Sequence, residues 1–291
     1  MKGIQQKWFY LLILSLIWGS SFILIKKSLL GFAPLQVGGL RIVFASLTLF
    51  FLGFKSLKTV QRQDLKWILI AGLGSSFFPP FFFAIAQTQI NSGVTSILNS
   101  VAPLLTTMVG IAFFGMAFRK NQILGVIIGL LGTLVLIVAG MEFKPDQNYW
   151  YSLFIIFSAL GYAFNINIIK SKLAHLSPLA VTTASFGVAF IPGLSILAYT
   201  GVFTEFSGNV AMQHSIWYLL ALAILGTALA NILFNKLIQL SSPVFAASVT
   251  YLIPLVAVLW GLLDGEFITV HQVLGGFIIL FGVWLVNRKR K

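Results

Sequence analysis

Cysteine is absent from this chain and acid is scarce: 291 residues hold no Cys and six Asp plus Glu. The first absence excludes disulfides, thiolate metal sites and cysteine nucleophiles. The second leaves few groups for acid–base catalysis. Charge of either sign is sparse, 9% of residues against about 25% in a soluble domain. Hydrophobic residues make up 58%, and the mean hydropathy is +0.98. A chain with so little polar surface cannot dissolve in water, and the class it defines is a polytopic, all-α membrane protein. The three histidines, His175, His214 and His271, fall near expected helix ends, and none stands at metal spacing from a carboxylate. No Walker-type loop is present, so ATP is not the energy source. No metal, cofactor or catalytic residue is expected, and the chain is not read as an enzyme.

What is there is lipid-compatible length. Ten runs of about twenty apolar residues lie over 8–28, 34–54, 66–86, 92–115, 121–140, 150–170, 179–200, 215–237, 244–263 and 269–287. Lys2 and Lys7 precede the first run as in a signal peptide, but no small-x-small cleavage site follows. That run reads as a retained transmembrane helix. The net charge of +13 would suggest nucleic acid in a soluble protein. Here the cations flank membrane spans and set orientation, so no nucleic-acid partner is expected. With alternating spans, fifteen Lys and Arg fall on the side of the N-terminus and three on the other, with Arg41 inside a span. The positive-inside rule then places both termini in the cytoplasm.

The chain reads as two copies of one unit. "QINSG" (89–93) matches "QLSSP" (239–243), and "APLLTTMVGIAFFG" from Ala102 matches "IPLVAVLWGLLDGE" from Ile253. "NQILGVIIGLLG" from Asn121 matches "HQVLGGFIILFG" from His271, and Pro34 aligns with Pro178 at an offset of 144. The expected units are residues 1–144 and 145–291, five helices each. Five is odd, so the second unit enters the membrane inverted. Such repeats commonly place a site near the midplane between the halves, lined by broken helices.

Polar side chains in apolar helices are costly, and they usually face a bundle interior or a wet cavity. Thr227, Asn231 and Asn235 form a stripe at four-residue spacing. Thr95, Asn99, Pro103 and Thr106 nearly do the same, Tyr162 and Asn165 share a face, and Ser15, Trp18 and Ser21 align. The expected substrate-binding set is Trp18, Ser21, Arg41, Asn99, Tyr162, Asn165, Asn231 and Tyr251. Interhelical hydrogen bonding is the plain alternative for each polar member. Arg41 is the one clearly intramembrane charge, able to hold a substrate carboxylate or else to snorkel or pair with an outer acid such as Glu266. Pro103 and Pro254 occupy matched places, and "FFPPFFF" puts Pro79 and Pro80 near mid-span. A proline inside a helix frees a carbonyl, so these four are the expected gating positions. The segment aligned with Pro79 and Pro80 in the second half lacks proline, so the halves are expected to move differently there. "GVIIG" (Gly125 to Gly129), extended by Gly132 and echoed by Gly275 and Gly282, predicts close helix contact. Contact within the chain is preferred to a dimer, so the protein is read as a monomer or weak homodimer.

"LIWGSSF", "GGLRIVFAS", "SVAPLLTTMVG" and the run "YLIPLVAVLWGLLDGEFITVHQVLGGFIILFGVWLV" resemble the ten-helix EamA-type carriers of the drug/metabolite transporter superfamily. The resemblance covers essentially the whole chain. It implies a bacterial inner-membrane secondary carrier working by alternating access. It also implies a small-molecule substrate, commonly an amino acid or related metabolite, moved outward. Nucleotide-sugar and drug carriers share this fold and remain as alternatives within the class. Relatives often carry an acid after the fourth helix to match Glu266 after the ninth; here Gly115 stands there. A membrane-embedded lipid enzyme would need Asp, Glu or His clustered at one membrane face, and the few such residues are scattered.

Overall fold

In the computed structural model the described residues are 2–90, 92–138, 148–205, 209–263 and 270–287. Every regular element among them is a helix. A lipid environment demands this of an open chain, because each backbone N–H and C=O must be satisfied within its own segment. In order they are α1 (Lys2–Ser28), α2 (Pro34–Gly53), α3 (Leu65–Ala71), α4 (Phe78–Ala86), α5 (Ser92–Asn99), α6 (Ala102–Phe114), α7 (Lys120–Val138) and α8 (Ser152–Ser171). There follow α9 (Pro178–Tyr199), α10 (Val202–Glu205), α11 (Val210–Ala223), α12 (Ala230–Leu240), α13 (Pro243–Ala247), α14 (Val249–Leu263) and α15 (Val270–Asn287).

Among the described residues six helical stretches are long and apolar enough to cross a membrane: Gln5–Ser28, Pro34–Thr59, Arg62–Ala86, Ser152–Ser171, Pro178–Tyr199 and Val210–Leu240. Shorter apolar helices cover Ala102–Phe114, Lys120–Val135, Pro243–Val256 and Val273–Val286. The chain is a multi-pass membrane protein. The expected boundary between units, at 144 and 145, lies outside the described residues. So do Asp264, Glu266 and the basic residues after Asn287.

Proline and short polar side chains mark where helices start. Ser177 Oγ accepts from Ala180 N at 3.1 Å ahead of Pro178. Ser242 Oγ does the same for Phe245 N at 3.2 Å ahead of Pro243. Each pairing satisfies an otherwise orphaned donor where the missing proline N–H costs nothing. α6 ends at Gly115, whose φ of 58° is a left-handed cap.

The prolines do not act alike. Pro103 is not a kink inside a continuous helix. The helix stops at Asn99, and Pro103 lies in the first turn of the next one, α6. Pro254 is inside α14, with its break upstream at Ser248. Pro79 and Pro80 open α4 directly after a π-helical segment, Gly72–Phe77. A second π segment, Ile224–Leu229, joins α11 to α12 without any proline. The proline difference between those two helices therefore does not carry over to their backbone geometry.

Glycine sets the closest crossings. α7 and α15 meet along the expected glycines: a Cβ on Gly282 would lie 2.6 Å from Gly129 N, and one on Gly125 would lie 2.7 Å from Gly282 O. The "GVIIG" contact is thus within the chain. Elsewhere a Cβ on Gly161 of α8 would overlap the Gly74 carbonyl oxygen in the first π segment.

Three long-range contacts define one end of the bundle. Trp8 meets Phe245 edge-on at 5.1 Å, Gln122 reaches Ser242, and Gly125 abuts Val286. Both α1's start and α15's end therefore lie on this face. Here Lys170 Nζ donates to the carbonyls of Ile238, Gln239 and Ser241 at 3.2, 3.1 and 2.6 Å. A cation on the unsatisfied carbonyls of a helix C-terminus is well placed. Lys170→Met is expected to lower stability by about 2 kcal/mol, since hydrogen bonds from a charged donor are worth roughly 1.5–3 kcal/mol. A thermal unfolding midpoint unchanged from the parent would refute this role. On the same face His175, half-exposed, pairs with buried Asp64 at 3.2 Å. The pairing joins segments 111 residues apart, so spacing in sequence could not show it. It involves one carboxylate only, and no group of three metal-ligating side chains occurs among the described residues.

Candidate functional site

A cavity lies within the bundle, bounded by α1, α2, α4, the end of α5, the start of α6, α8, α9, α12, the end of α13, α14 and both π segments. Its unfilled space is about 860 Å³ including the part open at its mouth, and about 80 Å³ of that admits the centre of a water-sized molecule. One water needs roughly 10–15 Å³ by that measure, so the space suits a small solute rather than a single water. Ile166, Phe234 and Ala247 line it and belong to the largest core cluster, which includes Leu11, Leu14 and Phe245 toward the face of the termini. Phe22, Ile25, Phe83 and Ile253 line it from a second cluster.

Seven of the eight residues expected to bind substrate line this one space: Trp18, Ser21, Arg41, Asn99, Tyr162, Asn165 and Asn231. They come from five helices, α1, α2, α5, α8 and α12. Of the four prolines only Pro80 reaches it; Pro79, Pro103 and Pro254 do not. Tyr251 lies elsewhere. It is 0% exposed, its hydroxyl donates to Val126 O at 2.7 Å, and its ring covers the bare face of Gly129. Helical phase turns Tyr251 toward α7, while Thr250 and Ile253 beside it face the cavity.

The second π segment organises the cavity wall. A π turn breaks the regular ladder and leaves backbone groups for other partners. Thr227 Oγ1 donates five residues back to Leu222 O at 2.9 Å. It also accepts from Arg41 Nε at 2.7 Å. The Gly226 carbonyl accepts from Trp18 Nε1 at 3.0 Å, and the Trp18 ring meets Phe234 edge-on at 4.9 Å. A Cβ on Gly226 would lie 2.8 Å from Ser21 Oγ, so a side chain here would force Ser21 to turn. Asn231 Nδ2 donates to Thr227 O at 2.8 Å, which leaves its carbonyl side to the cavity.

Other polar groups reach the space with no partner. Asn99 Oδ1 is buried and accepts no hydrogen bond among the described residues. Asn165 is 4% exposed and, like Tyr162, makes no hydrogen bond among them. Asn235, on the stripe of Asn231, sorts differently: its Nδ2 donates to Thr182 Oγ1 at 2.7 Å, and in α8 Asn167 Nδ2 donates to Thr106 O at 2.9 Å. Both are interhelical ties.

Sequence reasoning left several lining residues off its site set. Ser75, Phe22, Phe83, Thr227 and Phe234 all face the cavity. The repeat held a usable signal. The offset of 144 that aligns Pro34 with Pro178 also aligns Trp18 with Tyr162 and Ser21 with Asn165. An offset of 152 aligns the "LG" before Ser75 with the "LG" before Thr227.

An all-helical, multi-pass membrane protein enclosing a largely apolar cavity of small-solute size, set with a few polar side chains, has the makings of a membrane transporter. The chain belongs to the EamA-like transporter family, which matches it twice, over residues 6–138 and 149–288. It is similar to an uncharacterized transporter of Archaeoglobus fulgidus, 25% identical and covering 98% of this chain and 100% of that one. It is also similar to the uncharacterized inner membrane transporter YedA of Escherichia coli, 27% identical over 94% of this chain and 88% of the relative. A probable amino-acid metabolite efflux pump of Salmonella typhimurium is 25% identical over 95% and 93%. A solved structure superposes with a TM-score of 0.73, covering 96% of this chain and 95% of the other at 17% identity, which speaks for the fold.

Proposed function

We propose that the chain is a secondary-active carrier of small metabolites, working by alternating access as two inverted five-helix units of one ten-helix bundle. Amino acids or related compounds are its cargo, and export is its direction. The reading draws on the efflux pump named among its relatives. The single observation that carries it is the set of unpartnered polar groups converging on one cavity, Asn99, Tyr162 and Asn165, beside the guanidinium of Arg41. Unpaired polar groups within a membrane protein are costly and mark solute pathways. The binding set is Trp18, Ser21, Arg41, Asn99, Tyr162, Asn165 and Asn231. Pro80, in the cavity wall after a π segment, is the best placed of the four gating candidates; Pro79, Pro103 and Pro254 would act by shaping breaks beside it. The carrier sits in the plasma membrane as a monomer with both termini cytoplasmic, as the excess of Lys and Arg on their side supports. It binds no nucleic acid and catalyses no reaction.

The test is flux into and out of proteoliposomes for a panel of labelled amino acids and related metabolites, with and without a pH gradient. Asn231→Ala is expected to slow transport about tenfold, the size of one lost hydrogen bond to cargo, and Trp18→Ala by at least as much, since it removes an aromatic part of the wall and the tie to the Gly226 carbonyl, with folded yield unchanged. Normal flux in both variants would sink the cavity assignment.

A further inference from the structure

We propose that this cavity selects solutes carrying a carboxylate on an apolar body and rejects organic cations. The proposal rests on the carrier reading above and names its substrate class. Among the described residues Arg41 is held by one nitrogen only. Its Nε donates to Thr227 Oγ1 at 2.7 Å, and Thr227 is itself fixed by its bond to Leu222 O. The guanidinium therefore has a set orientation, while its two terminal amino groups bond no described residue, and Arg41 is part of the cavity wall. No carboxylate lines the space among the described residues. Asp64 is occupied by His175 at the face of the termini. The side chains of the other five acids lie outside the described residues.

An intramembrane arginine without a counter-ion is costly, and a bound anion would complete it. The free edge of a guanidinium presents a planar fork that fits a carboxylate with two parallel hydrogen bonds. The rest of the wall suits an apolar body: Phe22, Ile25, Phe83, Phe234 and Ile253. For an ammonium group the cavity offers neutral acceptors, above all the unpartnered Oδ1 of Asn99, so a zwitterion can bind by both ends. A simple amine would meet Arg41 with no negative charge to offset it. Two like charges about 6 Å apart at an effective dielectric near 20 oppose binding by about a hundredfold.

The experiment uses the purified full chain and three probes of matched length, 3-phenylpropionate, 3-phenylpropionamide and 3-phenylpropylamine. Stabilisation against thermal unfolding is titrated with each. The acid is expected to reach its half-maximal effect at least tenfold below the amide and about a hundredfold below the amine. Arg41→Gln should bring acid and amide within about threefold of each other, as expected when the charge-assisted bonds are gone. Arg41→Lys should keep the order, because it keeps the charge. An amine as effective as the acid overturns the proposal, as does an order unchanged by Arg41→Gln. Should Arg41→Gln not fold, the probe order on the parent chain and on Arg41→Lys decides alone. Binding in the expected order with no flux for any metabolite would sink the carrier reading and leave this selectivity standing. Flux with equal binding of acid and amine would do the reverse.

Discussion

Gly161→Leu is expected to yield almost no folded protein. Gly161 of α8 faces Gly74 in the first π segment, and even a Cβ at 161 would overlap the Gly74 carbonyl oxygen. The obstacle is backbone, which cannot rotate aside as a side chain can. Overpacking of this kind costs about 1–3 kcal/mol and sometimes more, a large share of the stability of an ordinary domain. The crossing is not symmetric. A Cβ on Gly74 would meet Gly161 at 3.5 Å, ordinary contact. Gly74→Ala should therefore fold well and Gly161→Ala poorly. The monodisperse peak of a fluorescent fusion in size-exclusion chromatography, with its thermal midpoint, reads the difference. Equal tolerance at the two positions would mean the helices do not cross as described.

Tyr251→Ala is expected to destabilise the protein by about 3–5 kcal/mol, the cost of deleting a large buried ring. Tyr251→Phe should cost about 1 kcal/mol, the net worth of a hydrogen bond, here the one to Val126 O. Flux per folded molecule should be unchanged in Tyr251→Phe, because the ring packs on Gly129 and stays out of the cavity wall. A Tyr251→Phe chain that folds normally but loses transport would return this residue to the cargo.

The polar stripes were legible in the sequence because lipid makes every amide expensive, so Asn99, Asn165 and Asn231 stood out from apolar neighbours. Their sorting was not. Asn231 and Asn235 sit one turn apart on one stripe, yet Asn231 opens on the cavity and Asn235 ties α12 to Thr182. The difference depends on what packs opposite, a long-range fact. Tyr251 misled for the same reason: polarity announced a buried partner without saying whether that partner was solute or the Val126 carbonyl. Aromatic lining such as Phe83 and Phe234 was invisible among 28 phenylalanines. The glycines of α7 and α15 were legible because close approach leaves no substitute for glycine. The π segments were not, since nothing in "GLGSSF" or "ILGTAL" separates a π turn from an α turn. The contact of Asp64 with His175 was equally hidden, because the two lie 111 residues apart.

The π turn at Ile224–Leu229 has a consequence for how the gene can vary. A π turn holds one residue more than the α ladder needs. Loss of one codon there, Leu225 for example, would let the helix close into regular register. The helix beyond it would keep its phase, so Asn231 and Phe234 would stay on the cavity wall, and the loss would fall on the turn itself, on the Thr227 bond back to Leu222 O and on the Gly226 carbonyl that accepts from Trp18. The same deletion a turn away, in regular α-helix, would rotate everything beyond it by about 100°, the angle each helical residue occupies, and carry both residues off the wall. A one-residue loss that leaves the hydropathy profile untouched is thus absorbed at the π turn and ruinous beside it.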